Sequence, residues 1–141
     1  MATRTYDHAA VASSEARAVS RPAHQAYVIL RVGFAALPII AGADKFLHLL
    51  TDWDKYLAPF VSNLVGGNGH TFMLAVGVIE IIAGIGVALK PRIFAWVVMA
   101  WLWGIIVNLL MVGGYLDVAL RDFGLSLGAL ALARLSATYD R

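Results

Sequence analysis

The sequence predicts an all-α integral membrane protein, a four-helix bundle with its N-terminus and C-terminus both cytoplasmic. Three observations predict it. The chain has 141 residues, 60 % of them hydrophobic and only 14 % charged, with a mean hydropathy of +0.75; soluble domains carry about 25 % charged residues. Apolar runs recur at about residues 26–50, 72–89, 93–112 and 117–135, each near the ~20 residues that cross ~30 Å of hydrocarbon as a helix. The basic residues divide unevenly between the ends of these runs. With the N-terminus inside, four spans place Arg4, Arg17, Arg21, Arg31, Lys90, Arg92, Arg134 and Arg141 on the cytoplasmic side and Lys45, Lys55 and Arg121 outside. That is a positive-inside bias, and an even number of spans keeps both termini inside. The expected location is the inner (plasma) membrane, as a multi-pass protein in contact with the lipid bilayer.

Composition also excludes function classes. The chain has no cysteine, so a thiol relay, a disulfide, a thiolate zinc site and a cysteine-held iron–sulfur cluster have no ligands here. The pI near 9.2 is explained by orientation in the membrane, and no nucleic-acid partner is expected. There is no HExxH, Walker loop, strand-linked GxGxxG or nucleophile elbow, and no metal site is expected.

Residues 1–24 are small, polar and charged, with no apolar h-region. They predict a flexible cytoplasmic tail, not a cleaved signal peptide. The first span carries Arg31 near its start, placed to snorkel, and Pro38 inside it, placed to kink it. Near its far end Asp44 and His48 lie four apart, on one helical face, with Lys45 a quarter-turn away. Residues 51–71 form the longest loop. Trp53, Tyr56, Leu57 and Phe60 fall at helical spacing, which predicts a short interfacial helix over 52–58 limited by Pro59. Gly66-Gly67-Asn68-Gly69 signals a turn, and His70 reads as a solvated loop residue.

The second span has seventeen uncharged residues and one carboxylate, Glu80, near its middle. A carboxylate at that depth costs about 2.5–3.5 kcal/mol unless paired, neutralised or wetted. Gly77 and Gly84 share its face, and small residues beside a polar one admit another backbone, so this face should point inward. Lys90-Pro91-Arg92 turns the chain into the third span, where Asn108 is the one strong hydrogen-bonding side chain and Gly104, a turn earlier, should give it a close-approach face. Trp96, Trp101 and Trp103 read as lipid- or neighbour-packing aromatics. Gly113-Gly114 closes that helix. The fourth span opens on Asp117, Arg121 and Asp122, with Asp117 and Arg121 an (i, i+4) pair. Gly124, Gly128 and Ala131 then form a small-residue face. Residues 137–141 are a C-terminal tail.

Alternating helix direction brings Asp44, Lys45, His48, Asn108, Arg121 and Asp122 to the outer half of one bundle, with Glu80 beneath them. Charged groups in hydrocarbon are expected to face inward and pair; Lys45 or Arg121 with Asp44, Asp122 or Glu80 are the candidate pairs. Two readings of the cluster stand at this point. One is a buried ion-pair network that fixes helix register. The other is a pocket for a quinone headgroup or similar redox ligand, in which His48 and Asn108 bond carbonyl oxygens and Glu80 or Asp44 relays a proton. A haem is disfavoured because His48 is the only histidine in a span.

Leu30-Arg31-Val32-Gly33 followed by Ala41-Gly42-Ala43-Asp44-Lys45-Phe46 resembles the first helix of the DoxX-like family of small membrane proteins. Gly77-Val78-Ile79-Glu80 with Gly84 and Leu89 resembles that family's second-helix pattern. The similarity covers about residues 26–135, with Arg31, Lys45 and Glu80 as its motif positions. The family includes the small subunit of thiosulfate:quinone oxidoreductase. The resemblance therefore implies a four-helix subunit of a quinone-linked oxidoreductase complex, not catalytic alone, with partner subunits or a homo-oligomer around it and a quinone as the cofactor. It carries over no catalytic residue. The alternatives are a non-catalytic anchor or assembly subunit with a structural polar cluster, and a small-solute transporter.

Overall fold

The computed structural model describes residues 3–140. Every regular element among them is helical: α1 (Thr3–Leu47), a 3₁₀ turn (Trp53–Tyr56), α2 (Pro59–Leu64), α3 (Gly69–Leu89), α4 (Pro91–Val112) and α5 (Leu116–Tyr139). The four long helices pack as a closed ring, α1 on α3, α3 on α4, α4 on α5 and α5 on α1. The contacts are most extensive within two pairs, α1 with α3 and α4 with α5.

Glycine sets the α1–α3 contact. A Cβ on Gly77 would sit 2.8 Å from the carbonyl oxygen of Gly42, and one on Gly84 would sit 2.5 Å from that of Ala35. Backbone therefore meets backbone, as the small-residue face around Glu80 predicts. The α4–α5 pair is built differently. α4 buries Pro91, Ala95, Val98, Leu102, Ile106 and Leu109 at helical spacing, and α5 offers the small side chains of Ala119, Ser126, Ala129, Ala133 and Ser136 together with Leu132. Of the small-residue face predicted on α5, only Gly128 meets a neighbour, the ring of Phe34. Nothing lies within 4 Å of a Cβ on Gly124, and Ala131 is exposed.

Helix ends explain where the predicted spans shift. α1 stops at Leu47 and not at residue 50, because His48 turns left-handed (φ 53°) and the Asp44 carboxylate accepts from the next two backbone N–H groups, of Leu49 (2.9 Å) and Leu50 (3.1 Å). α4 begins at Pro91, whose missing N–H costs nothing in a helix's first turn. It ends at Gly113, left-handed at φ 83°, the usual terminus. Asp140, just past α5, accepts from the Arg92 backbone N–H at 3.3 Å, so the tail expected at 137–141 is helical to Tyr139 and then caps α4. Arg31 donates to the carbonyl oxygen of Ala88 near the end of α3, where a cation complements the helix dipole.

Two expectations are corrected. Residues 3–24, expected as a tail, form the first half of α1, which runs unbroken through Pro22 and Pro38. Alanine has the highest helix propensity, and Ala9, Ala10, Ala12 and Ala23 supply it. At its junction with the ring, Tyr139 donates to the carbonyl oxygen of Ser20 (3.2 Å) and stacks on Tyr27. The short helix predicted over 52–58 is a 3₁₀ turn, and Pro59 starts a second helix, α2, instead of ending the first.

Three helices are long and apolar enough to cross a membrane: His8–Leu47 within α1, Gly69–Leu89 and Pro91–Val112. Their outward faces expose large apolar side chains such as Ile29, Val32, Ile40, Ile82, Ile85, Val107 and Leu110, the surface a membrane protein presents to lipid. α5 is 24 residues long but is not in this set, because Asp117, Arg121, Asp122 and Arg134 dilute its apolar character.

Candidate functional site

The ring is not filled along its whole length. A core of Tyr27, Phe34, Val87, Ala95, Val98, Leu102, Ala129, Leu132 and Ala133 packs one half. A smaller cluster of Ile106, Leu109 and Ala119 packs the far end, beneath Tyr56 and Tyr115. Between them lies a cavity of about 650 Å³, within the ~300–1,000 Å³ range of small-molecule sites. Its walls are mostly apolar, from Phe34, Ala41, Met73, Val76, Ala83 and Ile105. A few polar side chains converge on it: Lys45, Glu80, Trp101, Asn108, Arg121 and Asp122.

Lys45 on α1 and Glu80 on α3 form an ion pair at 2.5 Å, with residue exposures of 3 % and 8 %. The Gly42–Gly77 contact one turn away brings the two helices close enough for it to form. The Lys45 ammonium also lies 3.9 Å from the centre of the Trp53 ring, a favourable cation–π position. Trp53 is fixed in turn by its indole N–H, which donates to Asp44 at 2.8 Å. A chain of contacts thus runs from Asp44 through Trp53 and Lys45 to Glu80.

The loop that closes this end of the ring is held by Asn108 on α4. Its amide nitrogen donates to the carbonyl oxygen of Tyr56 (2.6 Å) and its amide oxygen accepts from the backbone N–H of Ala58 (2.9 Å). Thr51, Trp53, Tyr56, Leu57 and Val61 thereby become the cavity's roof. Outside the roof, His70 pairs with Asp54 at 2.7 Å and stacks on His48.

Of the seven predicted site residues, the structure brings Lys45, Glu80, Asn108, Arg121 and Asp122 to one cavity. Asp44 is buried but spends its carboxylate on the end of α1 and on Trp53. His48 is exposed and does not line the cavity. The prediction gave it Asp44's face, which requires the helix to continue; it ends one residue earlier. The Asp117–Arg121 pair does not form among the described residues, where Lys45–Glu80 is the only carboxylate pair with a lysine or arginine. Gly104 has no close neighbour; it opens onto the cavity.

Sequence reasoning missed the inward role of Trp101. It lines the cavity, and its indole nitrogen is buried with no hydrogen-bond partner. Buried polar groups are nearly always satisfied, so an orphan of this kind calls for an explanation. The available signal was its spacing: Trp101 stands one residue before the buried Leu102 and seven before Asn108, whereas the more exposed Trp96 and Trp103 fall on other faces.

Compared with known proteins, the chain matches no protein-family model, no curated protein and no solved structure.

Proposed function

We propose that this chain is a DoxX-like, four-span subunit of a quinone-linked oxidoreductase complex in the inner (plasma) membrane. It binds a quinone headgroup in the cavity and is not catalytic alone. Both termini are cytoplasmic, and partner subunits or further copies complete the assembly. The observation that carries this reading is the orphan Trp101 N–H in the wall of a largely apolar cavity. A carbonyl oxygen on a flat apolar ring satisfies that donor while the ring fills apolar space.

The residues present fit such a group. Trp101 would donate to one carbonyl oxygen, and the Lys45–Glu80 pair is a buried proton-carrying couple on the same walls. A bound quinone would supply two-electron, two-proton acceptor chemistry to a donor held by a partner. Trp53 positions Lys45, Asn108 holds the roof, and the roof keeps water out. Arg31, Lys45 and Glu80, the positions that carry the resemblance, all bridge α1 to α3.

Substituting Trp101→Phe tests the reading. It removes the N–H and keeps an aromatic ring in the cavity. With a hydrogen bond worth about 0.5–1.5 kcal/mol, quinone affinity should fall roughly 2- to 12-fold, while stability of the empty protein stays level or rises because the orphan donor is gone. Equilibrium binding of a decyl-tailed benzoquinone to the purified protein, alongside thermal unfolding, reads both. Unchanged affinity, or no binding by the unsubstituted protein, overturns the proposal.

The anchor reading is favoured by one observation: Asp44 and Asn108 both spend hydrogen bonds on holding the loop. It predicts no quinone in the mildly solubilised complex, and extraction of that complex separates the two.

A further inference from the structure

The cavity's walls are not equally closed. The α1–α3 wall is sealed by the Gly42–Gly77 and Ala35–Gly84 backbone contacts. The roof is tied down through Asn108 and Trp53. The aromatic side-chain contacts between α1 and α5 lie in one half of the ring. There Tyr27 stacks on Tyr139 at 5.4 Å, and the Phe34 ring fills the space over Gly128.

Beyond Phe34, towards the roof, side chains of both helices stand exposed. Leu37 on α1 is 54 % exposed and Leu125 on α5 is 41 % exposed; Arg121, one turn from Leu125, is exposed as well. All three also line the cavity. Among the described residues they are the only cavity-lining side chains that stand exposed, which places the cavity's opening at this flank of the ring, not at its end. Its neighbours on the outer surface, Ile40 and Leu120, are large, apolar and exposed.

We infer that the gap between α1 and α5, framed by Leu37, Leu125 and Arg121, is a lipid-facing side opening through which the hydrocarbon tail of the cavity's ligand leaves the protein. The inference rests on the quinone reading and narrows it. The ligand class is a quinone with a long alkyl or isoprenoid tail, loaded sideways from the bilayer, not a water-soluble acceptor arriving through the roof. The chemistry agrees along the gap. Leu37 and Leu125 give the tail apolar walls at depth. Arg121, nearer the loop end, has no carboxylate within ion-pair distance among the described residues and can reach the headgroup layer by extending its apolar stem.

The test uses the full chain in nanodiscs of phosphatidylethanolamine and phosphatidylglycerol. The probe is a benzoquinone whose decyl tail ends in a diazirine. After photolysis, labelled peptides are mapped by mass spectrometry with and without excess unlabelled decyl benzoquinone. The expected result is competable labelling on α1 around Leu37 and on α5 around Leu125. It should be lost in Leu125→Trp, which plugs the gap, and kept in Leu120→Trp, which adds the same ring to the neighbouring lipid-facing surface. Competable labelling confined to α3, α4 or the roof, or labelling that survives Leu125→Trp, overturns the side opening and leaves the quinone site standing. Absence of competable labelling anywhere removes the quinone site and the opening together.

Discussion

Glu80 sits in the middle of an apolar helix because Lys45 meets it 2.5 Å away. Taking either charge out of water is expensive, and removing one partner strands the other. Lys45→Met should therefore lower stability by about 3–5 kcal/mol, and Glu80→Gln should fall in the same range. The double substitution Lys45→Met with Glu80→Leu should recover most of the loss, since apolar side chains of similar volume replace a buried pair at little cost. Unfolding of the three variants in one detergent measures the coupling; additive losses would show that the pair is not a unit. Much of this was legible in the sequence. An inward Glu80 followed from the cost of a lipid-exposed carboxylate and from its flanking glycines, and Lys45 was among its candidate partners. Asp44 and His48 were misplaced because their shared face depended on a helix that His48 itself ends at φ 53°. Trp101 was missed as a site residue because its spacing of seven from Asn108 marks a shared face, but that face is known to point inward only once the helix is docked.

At the scale of elements, glycines with the same look in the sequence divide into two kinds. Gly42, Gly77 and Gly84 have backbone against them, whereas Gly104 and Gly124 face open space. Gly77→Ala must push α1 away from α3, an overpacking cost of about 1–3 kcal/mol, and it should also loosen the neighbouring Lys45–Glu80 pair. Gly124→Ala meets nothing and gains helix propensity, so it should stabilise by about 0.5–1 kcal/mol. Thermal unfolding of the two variants checks the contrast, and equal effects would contradict the α1–α3 contact. The small-residue pattern predicted close approach at Gly77, Gly84, Gly104 and Gly124. It marks only where approach is permitted; the neighbour has to come from tertiary packing, and at Gly104 the space stays open as cavity. The roof was half legible. Aromatic spacing predicted a helix over 52–58 where a shorter 3₁₀ turn, Trp53–Tyr56, forms, and the double hold of Asn108 on Tyr56 and Ala58 joins residues about fifty positions apart.

The whole molecule joins two helix pairs of different character, and its topology turns on α5. α1 is 45 residues long, roughly 67 Å at 1.5 Å per residue, about twice the hydrocarbon thickness. Its first half therefore extends beyond a bilayer crossed by its second half, carrying Arg21 with it. α5 has the length to cross but not the apolar composition of the other three. In the proposed four-span arrangement the ring would make crossing tolerable: Asp122 and Arg121 border the cavity, and α5 packs extensively on α4. The charge bias that predicts four spans and cytoplasmic termini is tested directly because the chain has no cysteine. Single thiols introduced by Asn68→Cys, before α3, and Thr138→Cys, at the end of α5, occupy exposed positions. In intact spheroplasts a membrane-impermeant maleimide should label the Asn68→Cys protein. The Thr138→Cys protein should react only after permeabilisation. Labelling of both from outside would mean that α5 does not cross, which would put the two termini on opposite sides and leave the cavity's fourth wall lying at the membrane surface. The open flank between α1 and α5 would then face water over part of its length, so the same two thiols also decide whether that gap can serve a tail from the bilayer.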